Sequence, residues 1–354
     1  MRFSKAIATV SIAAVMALFA THANADDDDD GNKTRTRIVD CGEGQSVQAA
    51  INRAKRPTTI FIEGSCAEDV LVDKDDITLS GNRAGAACDT GDPRFSAGGT
   101  IDGTITVAGV RARIEFLTIT GSGEGILVTD RGAAEIACNA IHANQAGGVL
   151  VLDDSFARLR DNLVSSNGQR SFNKANVFFD CGLFVGDASA VKSFGNTYKQ
   201  NQYCAVEADR QAYFRNGSFI PRGTGEAPDP DELDIYVQKG CNQGDPAGAC
   251  GDPGTVALEV FNGGNADLRN ADVTGLMEVL GASNLRIGTR ATVNGNIDAR
   301  HNSVVRLESR PGLIPPQTTD FHGSLFCDAS VQTFFSRVQC GQTCAGPIPG
   351  SCVP

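Results

Sequence analysis

From Gly125 the chain alternates apolar and polar positions in short bursts, and the bursts return on a fixed period. "GILVTDRGAAEIACN" spans Gly125 to Asn139, "GVLVLDDSFARLRDN" Gly148 to Asn162, and "GLFVGDASAVKSFGN" Gly182 to Asn196. The first two begin 23 residues apart. The third begins 34 further on, as though "QRSFNKANVFF" (Gln169 to Phe179) were a loop inserted into one turn. Each unit carries a second asparagine five residues after the first: Asn144, Asn167 and Asn201. Self-similarity with a period in the low twenties marks a solenoid in which each unit stacks on the last. Two alternating segments divided by polar turns predict short strands rather than a strand and a helix. Equivalent residues of successive coils then lie about 4.8 Å apart, which stacks Asn139, Asn162 and Asn196 into one ladder. Alternation sends Ile126, Val149 and Leu183 inward with Val128, Val151 and Val185, and leaves Leu127, Leu150 and Phe184 as an outward apolar stripe.

The ends read differently. In "CGEGQSVQAAINRAKRPTTIFIEGSCAEDVLVDKDDITLSGN" (Cys41 to Asn82), Val47, Ala50 and Ile51 share one helical face ahead of the strand "TIFIEG". "VALEVFNGGNADLRN" (Val256 to Asn270) and "TVNGNIDARHNSVVRLES" (Thr292 to Ser309) are degenerate coils. With these repeats the chain resembles the pectin-lyase-like family of secreted right-handed parallel β-helix proteins. The resemblance implies an amphipathic helix capping the coil, over roughly Cys41 to Ser309. Four segments follow: a signal peptide at 1–25, an acidic disordered lead-in at 26–40, the right-handed parallel β-helix at 41–309, and a Cys/Pro-rich C-terminal cap at 310–354.

The signal peptide rests on Arg2 and Lys5, the apolar stretch Ala6 to Ala20, and the small-residue site Ala23-Asn24-Ala25. Its apolar stretch is too short for a comfortable membrane span. Removing Arg2 and Lys5 takes the net charge from −11 to −13, which argues against nucleic acid as a partner. Twelve cysteines in an exported chain predict disulfides in a secreted or periplasmic protein. Cys181 and Cys204 each precede a coil's first strand, one coil apart, and so stack within bonding range. Cys41 with Cys66, and Cys241 with Cys250 closing a Gly/Pro/Asp-rich loop, are further pairings. No CxxC zinc spacing occurs, and only three histidines lie beyond the signal peptide, His142, His301 and His322.

The candidate chemistry is acidic. Asp130, Asp153 and Asp187 fall in one column at the turn after the first strand, with Asp154 beside it and Asp209 near the same place in the next coil. Three readings stay open: a solvated turn, a calcium site at Asp130, Asp153 and Asp187, or a catalytic centre. The resemblance includes polygalacturonase-like hydrolases, which use clustered aspartates, and pectate lyases, which pair calcium with a basic residue. Arg158 and Lys192, in a second column below Glu135, could supply that base, or form a plain charge ladder with a Glu135–Arg158 attraction. Only Asp153-Asp154 matches a polygalacturonase element; the Gly-His-Gly and Arg-Ile-Lys elements are missing. The expected function is therefore an exported β-helix presenting a rigid surface to a glycan or an envelope or extracellular protein, with no cofactor required. The alternative is a lyase or hydrolase of acidic polysaccharide. The Leu127, Leu150 and Phe184 stripe predicts cover by the chain's own loops, by the tail, or by a second copy.

Overall fold

A computed structural model describes residues 34–55, 57–81, 98–168, 181–202, 204–216, 235–238, 256–288, 291–308, 320–322, 325–327, 330–336 and 339–340. The signal peptide, residues 26–33, the inserted loop and the Cys241 and Cys250 loop lie outside these residues.

Each coil of the repeat has three strands, and every pairing between coils is parallel. In the coil beginning at Ile126 they are Ile126–Thr129, Ala133–Ala137 and Ala140–His142. Among the described residues, the first strands of the coils form sheet 1, ten strands from Val70–Val72 to Leu325–Cys327. The second and third strands form sheets 2 and 3, joined where the long strand Thr58–Cys66 pairs in both. The predicted register holds: Ile126 pairs Val149 and Val149 pairs Leu183, and all three are buried. Each buried branched side chain contributes roughly 1.5–3 kcal/mol, and the repeat stacks them along one continuous interior.

Both asparagine positions form buried ladders at the two ends of each third strand. Asn139 Nδ2 donates to Asn162 Oδ1 at 3.0 Å, and Asn162 Nδ2 to Asn196 Oδ1 at 2.8 Å. The second set runs Asn144 to Asn167 at 2.8 Å and Asn167 to Asn201 at 3.0 Å. The repeated glycine that opens each unit exists for this second ladder. A Cβ on Gly148 would lie 2.8 Å from Asn167 Nδ2 and 2.6 Å from the Gly182 carbonyl. Gly148→Ala is expected to cost roughly 1–3 kcal/mol through overpacking, read as a lower denaturant midpoint.

The predicted helix, α1, is Val47–Asn52, and it buries Val47, Ala50 and Ile51. Ser46 caps it, and the Glu68 carboxylate accepts from Val47 N at 2.6 Å and Gln48 N at 3.3 Å. Acceptors at a helix start satisfy amides that lack partners within the helix. Cys41–Cys66 and Cys181–Cys204 are both disulfides, with Cα–Cα distances of 5.2 and 4.6 Å. No described helix is long and apolar enough to cross a membrane.

The solenoid is longer at both ends than its sequence boundaries suggested. Arg35–Asp40, assigned to the disordered lead-in, is a strand paired with Thr58–Cys66. Its alternation was hidden because Arg35 and Arg37 stand at inward positions, in register with buried Thr58 and Ile60, while the apolar Ile38 faces outward. Beyond residue 309, Asp320–His322, Leu325–Cys327, Gln332–Ser336 and Gln339–Cys340 each pair with the preceding coil. The strands assigned to a cap are therefore coils. The outward stripe also needs correction as a self-association face, because Leu150 and Phe184 are 3% and 0% exposed within the single chain.

Candidate functional site

The paired aspartates sit in a recurring turn between sheets 1 and 2. Asp153 and Asp154 have φ of 57° and 56°, as do Asp130-Arg131, Asp187-Ala188, Arg210-Gln211 and His301-Asn302 to within about 10°. Aspartate and asparagine are enriched in this left-handed region because their short polar side chains bond locally. The turn backbones form their own ladder: Arg131 N donates to Asp153 O, Asp154 N to Asp187 O and Ala188 N to Arg210 O, each at 3.0 Å. Asp153 and Asp154 are exposed; Asp153 accepts from Thr129 Oγ1 at 2.5 Å, and Asp187 pairs with Arg210 at 3.0 Å. Among the described residues, the oxygens of Asp130, Asp153 and Asp187 do not gather into a group of ligands. Arg158 stands apart from them on sheet 2, in a groove with Arg111, Arg113, Glu135 and Phe156.

Asp209 is not in that column. Strand pairing places it one position earlier, where it is buried and accepts from Arg210 N at 2.8 Å and Asn262 Nδ2 at 2.7 Å. It stands beside a second acidic column that the sequence reading missed.

That column is the outward face of sheet 1. Continuing the Leu127, Leu150 and Phe184 stripe, register puts Glu207, Glu259, Glu278 and Asp298 on four successive coils. Glu207 and Glu259 are each only 1% exposed, and Glu259 Oε2 has no hydrogen-bond partner. Burial, with Glu259 and Asp209 nearby, pushes the Glu207 carboxyl up to about 9 despite Arg210. Burial, with Glu278 and Asp209, pushes Glu259 up to about 8. Stacked carboxyls removed from water favour the neutral form for both reasons.

The column opens at its far end. Glu278 and Asp298 are partly exposed, and Asp298 is gripped by both arms of Arg300 at 2.8 and 2.7 Å. The Glu278 carboxyl is raised above the ordinary range by burial and then by Asp298, with Arg300 opposing. Two adjacent carboxyl groups thus have different environments: one half-buried, the other charge-paired.

A signal for the column was present in the sequence. Each acid stands three residues before a left-handed turn position, as in Glu207 to Arg210, Glu259 to Asn262, Glu278 to Gly281 and Asp298 to His301. The spacing from Cys204 to the next first strand at Val256 hid it, because the 23-residue period is lost there.

Residues 58–219 match the family profile described as the right handed beta helix region. The chain is a right-handed parallel β-helix. No curated protein matches its sequence. Pectate lyase Pel9A is 12% identical, with 91% of this chain and 83% of that one covered and a TM-score of 0.39. The alginate lyase from Paenibacillus sp. str. FPU-7 is 12% identical, with coverages of 86% and 99% and a TM-score of 0.34. The AlgE4 A-module of the Azotobacter vinelandii mannuronan C-5 epimerase is 13% identical, with coverages of 85% and 93% and a TM-score of 0.34.

Proposed function

We propose that this β-helix is an exported enzyme that hydrolyses a polysaccharide at the open end of its acidic column. The observation that carries this reading is the Glu278–Asp298 pair. Catalytic acid and base are recognised where neighbouring environments push two carboxyl groups apart, and perturbed carboxyls concentrate at functional sites. Glu278, its carboxyl raised above the ordinary range by burial and then by Asp298, donates its proton to the glycosidic oxygen. Asp298, oriented by Arg300, attacks the anomeric carbon as the bond to that oxygen breaks. Water then cleaves the glycosyl–Asp298 bond, giving up a proton to Glu278. Paired positions on adjacent coils are about 4.8 Å apart, close to the ~5 Å between the carboxyls of retaining hydrolases. Export is supported by the charged and apolar start of the chain and by disulfides that need an oxidising compartment.

The test is cleavage of a panel of acidic and neutral polysaccharides, followed by new reducing ends and by the absorbance of unsaturated uronates. Reducing ends without unsaturated product are expected. Glu278→Gln and Asp298→Asn should each lower the rate by roughly 10²–10⁴-fold, while Asp153→Asn leaves it unchanged. The rate should fall as pH rises through the raised Glu278 value. A folded chain that cleaves nothing, or cleavage that survives both substitutions, would reject this reading.

A further inference from the structure

We infer that the outer face of sheet 2 is a second, separate binding surface, for a polyanionic glycan. The inference is independent of cleavage at Glu278 and Asp298, which lie on sheet 1. One outward column of sheet 2 reads Arg111, Ala133, Phe156, Ala190, Tyr213 on five successive coils. Phe156 and Tyr213 are 37% and 39% exposed, among the few large apolar groups at the surface of the described residues. Pairing separates them by two coils, about 10 Å, with only the small Ala190 between. Two ring faces at that interval on a rigid backbone form a platform for successive sugar rings.

The neighbouring column is basic. Arg113, Glu135, Arg158 and Lys192 stack on consecutive coils. Glu135 leans to Arg113, 3.8 Å away, rather than to Arg158 as the sequence suggested. Arg113 is itself held by Glu115 at 2.6 Å. Arg158 and Lys192 are left exposed with no acidic partner within 4 Å among the described residues, and the Lys192 ammonium lies 5.7 Å from the Phe156 ring centre. Arg111, Arg113, Phe156 and Arg158 line a groove of about 600 Å³.

Charge selects the occupant. In a chain of net charge −11, unpaired cations beside aromatic faces are a local reversal of sign. A strip of this kind attracts a polyanion while the rest of the protein repels one. Ring faces spaced along the outer face of the sheet, one of them in the groove and the other two coils beyond it, suit a chain of sugars, and the cations suit its carboxylate or sulfate groups. Cations over aromatic faces also retain attraction for the ring, which keeps Lys192 in place above Phe156 until a ligand arrives.

The test is affinity electrophoresis of the full chain through gels containing polygalacturonate, alginate, neutral dextran or double-stranded DNA. Retardation by the two uronate polymers is expected, weakening with salt, with none by dextran. Arg158→Ala with Lys192→Ala should weaken retardation at least tenfold, and Phe156→Ala several-fold. All three side chains are exposed, so unchanged circular dichroism should accompany the loss. Glu278→Gln should bind as the parent does, which separates this surface from the cleavage site. No retardation by uronates, equal retardation by DNA, or retardation untouched by the substitutions would each overturn the inference.

Discussion

Asn162→Ala is expected to cost the protein roughly 3–5 kcal/mol, read as a large drop in denaturant midpoint. Asn162 is 2% exposed and sits mid-ladder. Its Oδ1 accepts from Asn139 N at 2.9 Å and from Asn139 Nδ2 at 3.0 Å. Its Nδ2 donates to Asn196 Oδ1 and Ile136 O, each at 2.8 Å, and to Arg160 O at 3.0 Å. Alanine strands two donors of Asn139 and withdraws a donor from the Ile136 carbonyl, and each orphaned buried group costs about 1–3 kcal/mol. Asn162→Asp should rescue little, since it keeps an acceptor but loses both donors and buries a charge. Asn284→Ala, at an exposed asparagine, should change stability by less than about 0.5 kcal/mol. A small effect at Asn162 would mean that water replaces the ladder and that the strands hold the coil alone.

The second large effect is on stability against pH. Glu207 and Glu259 rise from 4.5 in the unfolded chain to about 9 and about 8 when folded. Between those values the folded state holds protons that the unfolded chain has released, so rising pH favours unfolding. Stability should therefore be greatest near pH 4.5 in respect of these groups, and should fall until about pH 9, where both states are ionised. Each unit of displacement corresponds to about 1.4 kcal/mol, so the total loss is expected to reach several kcal/mol. Glu207→Gln with Glu259→Gln keeps the shape of the column without the charge. The double substitution should flatten the slope and exceed the parent's stability at pH 9. Denaturant titrations at pH 5, 7 and 9 measure it, and equal slopes in parent and variant would show that the column is solvated in solution.

The two acidic columns illustrate why similar residues end with opposite roles. Asp153 and Asp154 are acids because the backbone turns through φ near +57°, and their side chains remain in water. Glu207 and Glu259 occupy strand positions that placed leucine or phenylalanine in the preceding coils. A charged side chain at such a position breaks the local pattern, and breaks of this kind concentrate at functional sites.

From residues alone followed the coil, its inward and outward positions, the Asn139–Asn162–Asn196 ladder, and the Cys41–Cys66 and Cys181–Cys204 bridges. The coil, the ladder and the Cys181–Cys204 bridge depend on the 23-residue repeat, whereas Cys41–Cys66 spans 25 residues ahead of it; strand alternation and turn chemistry are local properties that a sequence displays directly. Only the tertiary structure decided that Leu150 and Phe184 are covered, that Asp209 leaves the turn column, that Glu135 turns to Arg113, and that Glu207, Glu259, Glu278 and Asp298 share one face. Burial and charge pairing are set by which coil lies next to which. Past Cys204 that adjacency spans about fifty residues of chain without a repeat, so closure of the solenoid had to supply what the local pattern no longer carried.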